Sequence, residues 1–188
     1  MATSKGEATR ERMIEAGIER MRAAGLAGAG INDIVAASGA PKGSVYHFFP
    51  GGKRQIVVEA LGVHAQRAQA FVAAAMDGAA TPAARVRALF AAFAARLERS
   101  HCRRSCPLGT VSLDLDDDAP DEIAATIAAA FEQWIDTIAA QLALPDRRRA
   151  RSLAGLVLTA IAGAYVRGRA ARSGRAFTEA GRWLAQLV

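Results

Sequence analysis

The sequence predicts an all-α protein: an N-terminal unit of three helices that contains a helix-turn-helix, followed by a larger C-terminal helical bundle. Three observations predict it. Residues 31–53, INDIVAASGAPKGSVYHFFPGGK, compress a short apolar helix, a tight turn and a second short helix into one unit. Elsewhere apolar residues recur at steps of three and four over long stretches, the period of one helix face. The stretch at 153–166, LAGLVLTAIAGAYV, is apolar on nearly every side and needs cover all round.

The first helix is expected over residues 7–24, where Met13, Ile14, Gly17, Ile18 and Met21 form one stripe and Glu11, Arg12, Glu15, Glu19, Arg20 and Arg22 lie elsewhere. Near its start, Lys5 or Arg10 is placed to touch a phosphate backbone. Gly25, Gly28 and Gly30 then loosen the chain. In the next helix Ile31, Ile34 and Val35 share an apolar face while Asn32 and Asp33 stay outward. Gly39 ends it, because a glycine just past a helix takes positive φ without steric cost, and Pro41 suits only the start of a new helix. In the helix that restarts, Val45 and Phe48 or Phe49 turn inward, leaving Lys42, Ser44, Tyr46 and His47 on a face rich in hydrogen-bonding groups. Such a face suits a DNA major groove. Pro50, Gly51 and Gly52 stop this helix, and Lys53 opens the next segment.

Residues 53–76 read as a long helix with Ile56, Val57, Ala60, Leu61, His64, Ala68, Phe71, Val72 and Ala75 on its apolar side, so His64 reads as a core or boundary histidine. Thr81 before Pro82 starts another, whose stripe of Val86, Leu89, Phe90, Phe93 and Leu97 serves as core or as the wall of an apolar cavity. Residues 101–118 are the least regular. Their acidic run, Asp114, Asp116, Asp117 and Asp118, lacks the glycine and terminal glutamate spacing of an EF-hand and suits a solvated loop before the next helix. Over residues 120–144, Ile123, Ile127, Phe131, Trp134, Ile138 and Leu142 follow the helical period, with Trp134 lining a pocket or filling the core. Pro145 and Asp146 restart the chain ahead of the basic cluster Arg147, Arg148, Arg149 and Arg151. In the apolar helix that follows, Ala154, Gly155, Ala160, Gly163 and Ala164 allow a close helix neighbour, and residues 177–188 add Trp183, Leu184 and Leu187. One chain is too small to cover both segments, so a two-fold homodimer joined as a four-helix bundle is expected.

The 188 residues suffice for one ordinary domain or two small ones, and 52% hydrophobic residues is ample for a core. A net charge of +6 favours a polyanionic partner, and a basic balance is equally compatible with a membrane surface or with neither. No apolar leader follows the polar start MATSKGEATRERM, and the longest apolar run, 153–166, falls short of the roughly 20 residues that span a bilayer. A cytoplasmic protein without a membrane partner is expected. Cys102 and Cys106 beside His101 lack the second ligand pair of a structural zinc site, so they read as free thiols, with a redox switch as the alternative.

The run G-A-P-K-G-S-V-Y-H-F-F-P-G-G-K at 39–53, preceded by R-x-x-M-I-x-A-G-I at 10–18, resembles the DNA-binding signature of the TetR family of bacterial transcriptional repressors. C-P-L-G-T-V-S-L-D at 106–114 is similar to the C-P-x-x-x-V-x-L-E segment of that family's LmrA/YxaF-like branch, where it forms a short helix over the ligand cavity. The resemblance implies a helix-turn-helix DNA-binding domain at 1–52 and an effector-binding and dimerisation domain at 53–188. Tyr46 and Lys53 would hold phosphates, Asn32 would lie near the backbone, and Lys42, Ser44 and His47 would face base edges, with Gly43 among them. Pro41 and Gly30 depart from the pattern, each replacing a residue whose side-chain oxygen caps a helix. The expected effector set is Phe71, Phe90, Phe93, Leu97, Cys106, Leu108, Val111, Phe131 and Trp134; the expected dimer set is Leu156, Ala160, Gly163, Ala164, Trp183 and Leu184.

The implied function is a ligand-responsive dimeric regulator, a repressor released from a palindromic double-stranded DNA operator by a small apolar effector. One rival is a sequence-indifferent DNA-binding protein, suggested by the basic pI near 10.1. The other is an enzyme using the same cavity, against which stand the lack of G-x-S-x-G, of a phosphate-binding glycine loop and of a paired metal motif. No catalytic residue, metal or cofactor is expected.

Overall fold

The structure, a computed structural model, describes residues 4–116 and 121–188. These form α1 (Ser4–Ala24), α2 (Ile31–Ser38), α3 (Ser44–Phe48), α4 (Gly52–Met76), α5 (Pro82–Arg99), α6 (Pro107–Leu113), α7 (Asp121–Leu142), α8 (Arg147–Ala171) and α9 (Arg175–Leu184), with no strand among the described residues. The fold is all-α, as the periodicity predicts. Asp117 and Asp118 of the acidic run and Pro120 at an expected helix start lie outside the described residues.

The chain divides into two compact units, residues 1–65 with 106–129 and residues 66–105 with 130–188. In the first, α1 buries Met13, Ile14, Ile18 and Met21 against α2, and Ile34, Val45, Phe49, Ile56, Val57 and Leu61 complete the core. The stretch read as irregular contains α6, whose Leu108 and Val111 are fully buried. Two hydrogen bonds tie α6 to the end of α1: Thr110 Oγ1 donates to the Met21 carbonyl at 2.8 Å, and the Leu26 N–H donates to Asp114 Oδ2 at 2.7 Å. Asp114, exposed as expected of the acidic run, thus also serves the turn after α1. That turn needs Gly25, which has φ +59° and where a Cβ would stand 1.8 Å from Asp114 Oδ2.

In the second unit α5, α8 and α9 bury Leu89, Phe90, Phe93, Leu97, Val157, Ile161 and Phe177. Thr81 caps α5 by accepting from the Ala84 N–H at 3.1 Å, with Pro82 in the first turn. Helix α9 starts earlier than its apolar stripe suggests because the Gly174 N–H is taken up by Glu98 Oε1 at 3.0 Å. Gly181 lets α9 approach α5 closely, since a Cβ there would lie 2.6 Å from the Phe90 Cβ. In the single chain α8 is two-sided: Ala150, Ala154, Val157, Ile161 and Ala164 face the core, whereas Leu156, Gly163 and Val166 are exposed.

Candidate nucleic-acid interface

Helix α2 ends where Gly39, at φ 65°, donates its N–H back to the Val35 carbonyl at 3.1 Å. The chain turns through Pro41 and restarts as α3, a helix of only 5 residues. So short a helix has no stability of its own and is held by packing. Val45 and Phe49 supply that packing, both at 0% exposure, which settles the inward aromatic as Phe49; Phe48 is half-buried. On the opposite side Lys42, Gly43, Tyr46 and His47 are exposed and Ser44 is half-buried. The Tyr46 ring rests on the start of α4, where a Cβ on Gly52 would come 3.6 Å from its Cε1, while 63% of the residue remains exposed. Asn32 is exposed on α2, and Lys53 is half-buried in the first turn of α4. All seven expected DNA residues thus belong to one compact unit, on or beside the two motif helices and the start of α4.

Neither motif helix has a side-chain cap: Gly30 and Gly43 occupy the N-cap positions of α2 and α3. Arginines outside the motif support it instead. Arg12 Nε donates to the Ser38 carbonyl at the end of α2 at 3.3 Å, and Arg20 Nη2 lies 3.4 Å from Asp33 Oδ1. Arg10, expected near a phosphate backbone, is engaged within the protein: it pairs with Glu59 and lies over the Phe49 ring at 4.9 Å. Lys5 is exposed.

The expected effector residues fall into both units. In the second, Phe90 and Leu97 are core, at 0% and 1% exposure. Phe71 is half-buried, with its ring 5.1 Å from Phe93 and the Arg96 guanidinium 4.7 Å above it, and Phe131 meets Trp134 edge-on at 5.6 Å. An open groove of about 1140 Å³ in this unit is lined by Glu98, Cys102, Arg103, Val166, Arg169 and Arg172 among others, none of them in the expected set. In the first unit, Leu108 and Val111 are buried and Cys106 is half-buried, its sulfur 4.0 Å from His64 Nε2. His64 is itself buried, with Arg22 Nη2 at 3.1 Å from Nδ1. This Arg22–His64–Cys106 chain joins three helical segments far apart in sequence, and no local spacing announces it.

Of the expected pairing residues, Leu156, Gly163 and Trp183 are exposed and Ala160 and Leu184 half-buried, whereas Ala164, at 4%, packs into its own chain's core and presents nothing outward. Val166 and Leu187 add to the exposed apolar surface of this end of the chain. Among the described residues, no helix is long and apolar enough to cross a membrane, and no group of three or more His, Cys, Asp or Glu is placed to hold a metal ion.

Residues 13–60 match the bacterial regulatory proteins of the tetR family, and residues 82–183 match the C-terminal domain of LmrA/YxaF-like transcriptional regulators. The chain is 32% identical over 171 residues to the HTH-type transcriptional regulator Rv0196 of Mycobacterium tuberculosis, covering 87% of this chain and 85% of that one. It is 34% identical over 98 residues to the HTH-type transcriptional regulator LmrA of Bacillus subtilis, 52% of this chain and 48% of that one. A TetR transcriptional regulator from Chloroflexus aurantiacus has a crystal structure that superposes with a TM-score of 0.79 at 26% identity, over 97% of this chain and 94% of that one. The fold is also that of the regulatory protein TetR from Rhodobacter sphaeroides, at a TM-score of 0.82 and 22% identity over 94% and 96% of the two chains. With its helix-turn-helix and its C-terminal half both matched, the chain belongs to the TetR family of DNA-binding transcriptional regulators, in the LmrA/YxaF-like branch.

Proposed function

We propose that this regulator is a dimeric, cytoplasmic repressor that occupies a palindromic operator and is released by a small apolar effector. The observation that carries the reading is α3 with its flanking residues, where buried Val45 and Phe49 fix an outward face of Lys42, Ser44, Tyr46 and His47. In this reading Lys42, Ser44 and His47 meet base edges, with Gly43 allowing close approach, while Tyr46, Lys53 and Asn32 hold the phosphate backbone. Two copies related by a two-fold axis would read half-sites about 34–36 Å apart. The exposed Leu156, Gly163 and Trp183 support pairing through α8 and α9. Residues 53–188 would carry effector binding and pairing, and the Phe71–Phe93 and Phe131–Trp134 aromatic pairs favour an apolar, aromatic effector. The effector would shift operator occupancy only by its difference in affinity for the two conformations.

Selection of binding sequences from random duplex DNA tests this, followed by anisotropy titration of the winner and a scrambled control at two salt concentrations. A palindrome that outcompetes the control by roughly a thousandfold or more is expected. Binding that falls with salt but ignores sequence would replace the reading with a sequence-indifferent DNA-binding protein. Turnover of a candidate ligand would instead revive an enzyme.

A further inference from the structure

We propose that the open groove between the end of α5 and the turn from α8 into α9 is a second ligand site, one that takes a small organic dianion, a phosphate monoester or a dicarboxylate, by its paired oxygens. The proposal goes beyond the apolar-effector reading above and does not depend on it.

The groove lies within the second unit, between the loop that follows α5 and the last turn of α8. Its lining residues include Arg103, Arg169 and Arg172 with a single carboxylate, Glu98, a surplus of two positive charges. Among the described residues, no hydrogen bond or ion pair engages any of these three guanidinium groups. Their neighbours differ: Arg167 and Arg175 both pair with Glu179. Three uncompensated cations around one groove repel one another. An anion between them relieves that repulsion, and each guanidinium offers a fork of N–H donors that matches a pair of carboxylate or phosphate oxygens.

The walls that carry these arginines hold strained backbone. Of the four non-glycine residues with positive φ among the described residues, three line this groove: His101 at 50°, Cys102 at 57° and Arg172 at 49°. Such conformations persist only where the surroundings over-determine them, and they gather at functional sites. On one wall the His101 N–H donates to the Glu98 carbonyl at 2.8 Å and the Cys102 N–H to the Leu97 carbonyl at 3.0 Å. On the other the Ser173 N–H donates to the Gly168 carbonyl at 3.0 Å. Glu98 joins the two walls by accepting from the Gly174 N–H, and a Cβ on Gly168 would stand 2.7 Å from Leu97 Cδ2, so α8 and α5 are in close contact here. The arginines therefore stand on backbone that is already ordered before a ligand arrives, which lowers the cost of binding.

Size and lining choose the class of ligand. A space of about 1140 Å³ exceeds what a bare phosphate needs and is on the scale of sites for small organic molecules. Val166, 67% exposed, and Ala170 offer apolar surface beside the arginines for the carbon body of such a molecule. A neutral ligand would leave the guanidinium groups without a counter-charge, and a cation would be repelled by them. Because the three arginines are exposed, salt screens them, so affinity for a dianion falls as sodium chloride is added.

The test is calorimetric titration of the full chain, at matched ionic strength, with phenyl phosphate and with phthalate, and with benzyl alcohol as the uncharged control. One dianion per chain is expected, bound at least about tenfold more tightly than benzyl alcohol, and the tighter of the two dianions identifies the head group. Arg169→Gln and Arg172→Gly should each weaken it by about fivefold or more. Arg148→Gln, which removes an exposed charge of the same helix outside the groove, leaves it unchanged. Arg172→Gly also separates binding from folding, because glycine takes φ 49° without steric cost: its urea midpoint should equal or exceed that of the parent chain even as its affinity falls. Equal losses in Arg148→Gln and in the groove variants would reduce the site to general surface charge and overturn the proposal. Benzyl alcohol binding as tightly as the dianions, or neither dianion binding the chain in its native assembly, would overturn it too. None of these results depends on the DNA selection, so this proposal and the operator reading fail separately.

Discussion

Tyr46 shows how one residue can be structural on one side and available on the other: its ring lies on Gly52 while most of its surface stays open. Tyr46→Phe keeps the ring and removes one hydrogen bond to a charged acceptor, so affinity for every sequence should fall by about 1.5–3 kcal/mol in anisotropy titration. Unchanged affinity would remove Tyr46 from the phosphate contacts. Lys42→Ala should weaken operator binding more than nonspecific binding if Lys42 reads a base, and equal losses would reassign it to phosphate. Gly25→Ala combines a positive φ with a collision on Asp114, and chemical denaturation should show a loss of about 1–3 kcal/mol. Most of the motif face was legible in the sequence because α3 exposes and buries residues on a local helical period. Two assignments were not. Phe48 and Phe49 are adjacent aromatics that periodicity alone leaves equivalent, and Arg10 carries a charge whose partner, Glu59, is set only by tertiary packing.

Elements were legible where they are long. The stripes of α1, α4, α5 and α7 repeat over several turns, so an error of a few residues at either end leaves the assignment intact. Helix α6, with 7 residues, offers fewer than two full repeats; only its likeness to a known segment pointed to it. Caps mark starts better than stripes do. Thr81→Ala should cost about 1 kcal/mol in chemical denaturation by freeing the Ala84 N–H. On α9, the hydrogen bond from Arg175, and then its charge, hold the Glu179 carboxyl below its ordinary value of 4.5. A depressed carboxylate pKa contributes stability that is present above the unfolded value and lost as pH falls through the folded one. The Arg175–Glu179 pair should therefore be intact at neutral pH, and NMR titration should find the Glu179 midpoint below 4.5, moving back towards it in Arg175→Ala.

For the molecule as a whole, pairing is tested at a position where the single chain is indifferent. A Cβ on Gly163 meets nothing within 4 Å and the residue is exposed, so Gly163→Leu starts from open space in each protomer. Sedimentation velocity should then show monomer at low concentration with unchanged helicity, through overpacking between copies. A variant that stays dimeric would place the interface elsewhere. The expected break at 52/53 reflects where motif ends and long helix begins, but the first compact unit also takes in residues 106–129. That interleaving has a consequence for how the protein is made. On the ribosome the helix-turn-helix emerges early, yet α6, which seals the end of α1, follows only after α5 has been synthesised. The nascent head must wait with the Leu108 and Val111 sites unfilled, a long sequence separation of the kind that slows folding. For the same reason the DNA-reading head cannot be transplanted onto another regulator by a single cut after residue 65; the graft has to carry the later stretch with it.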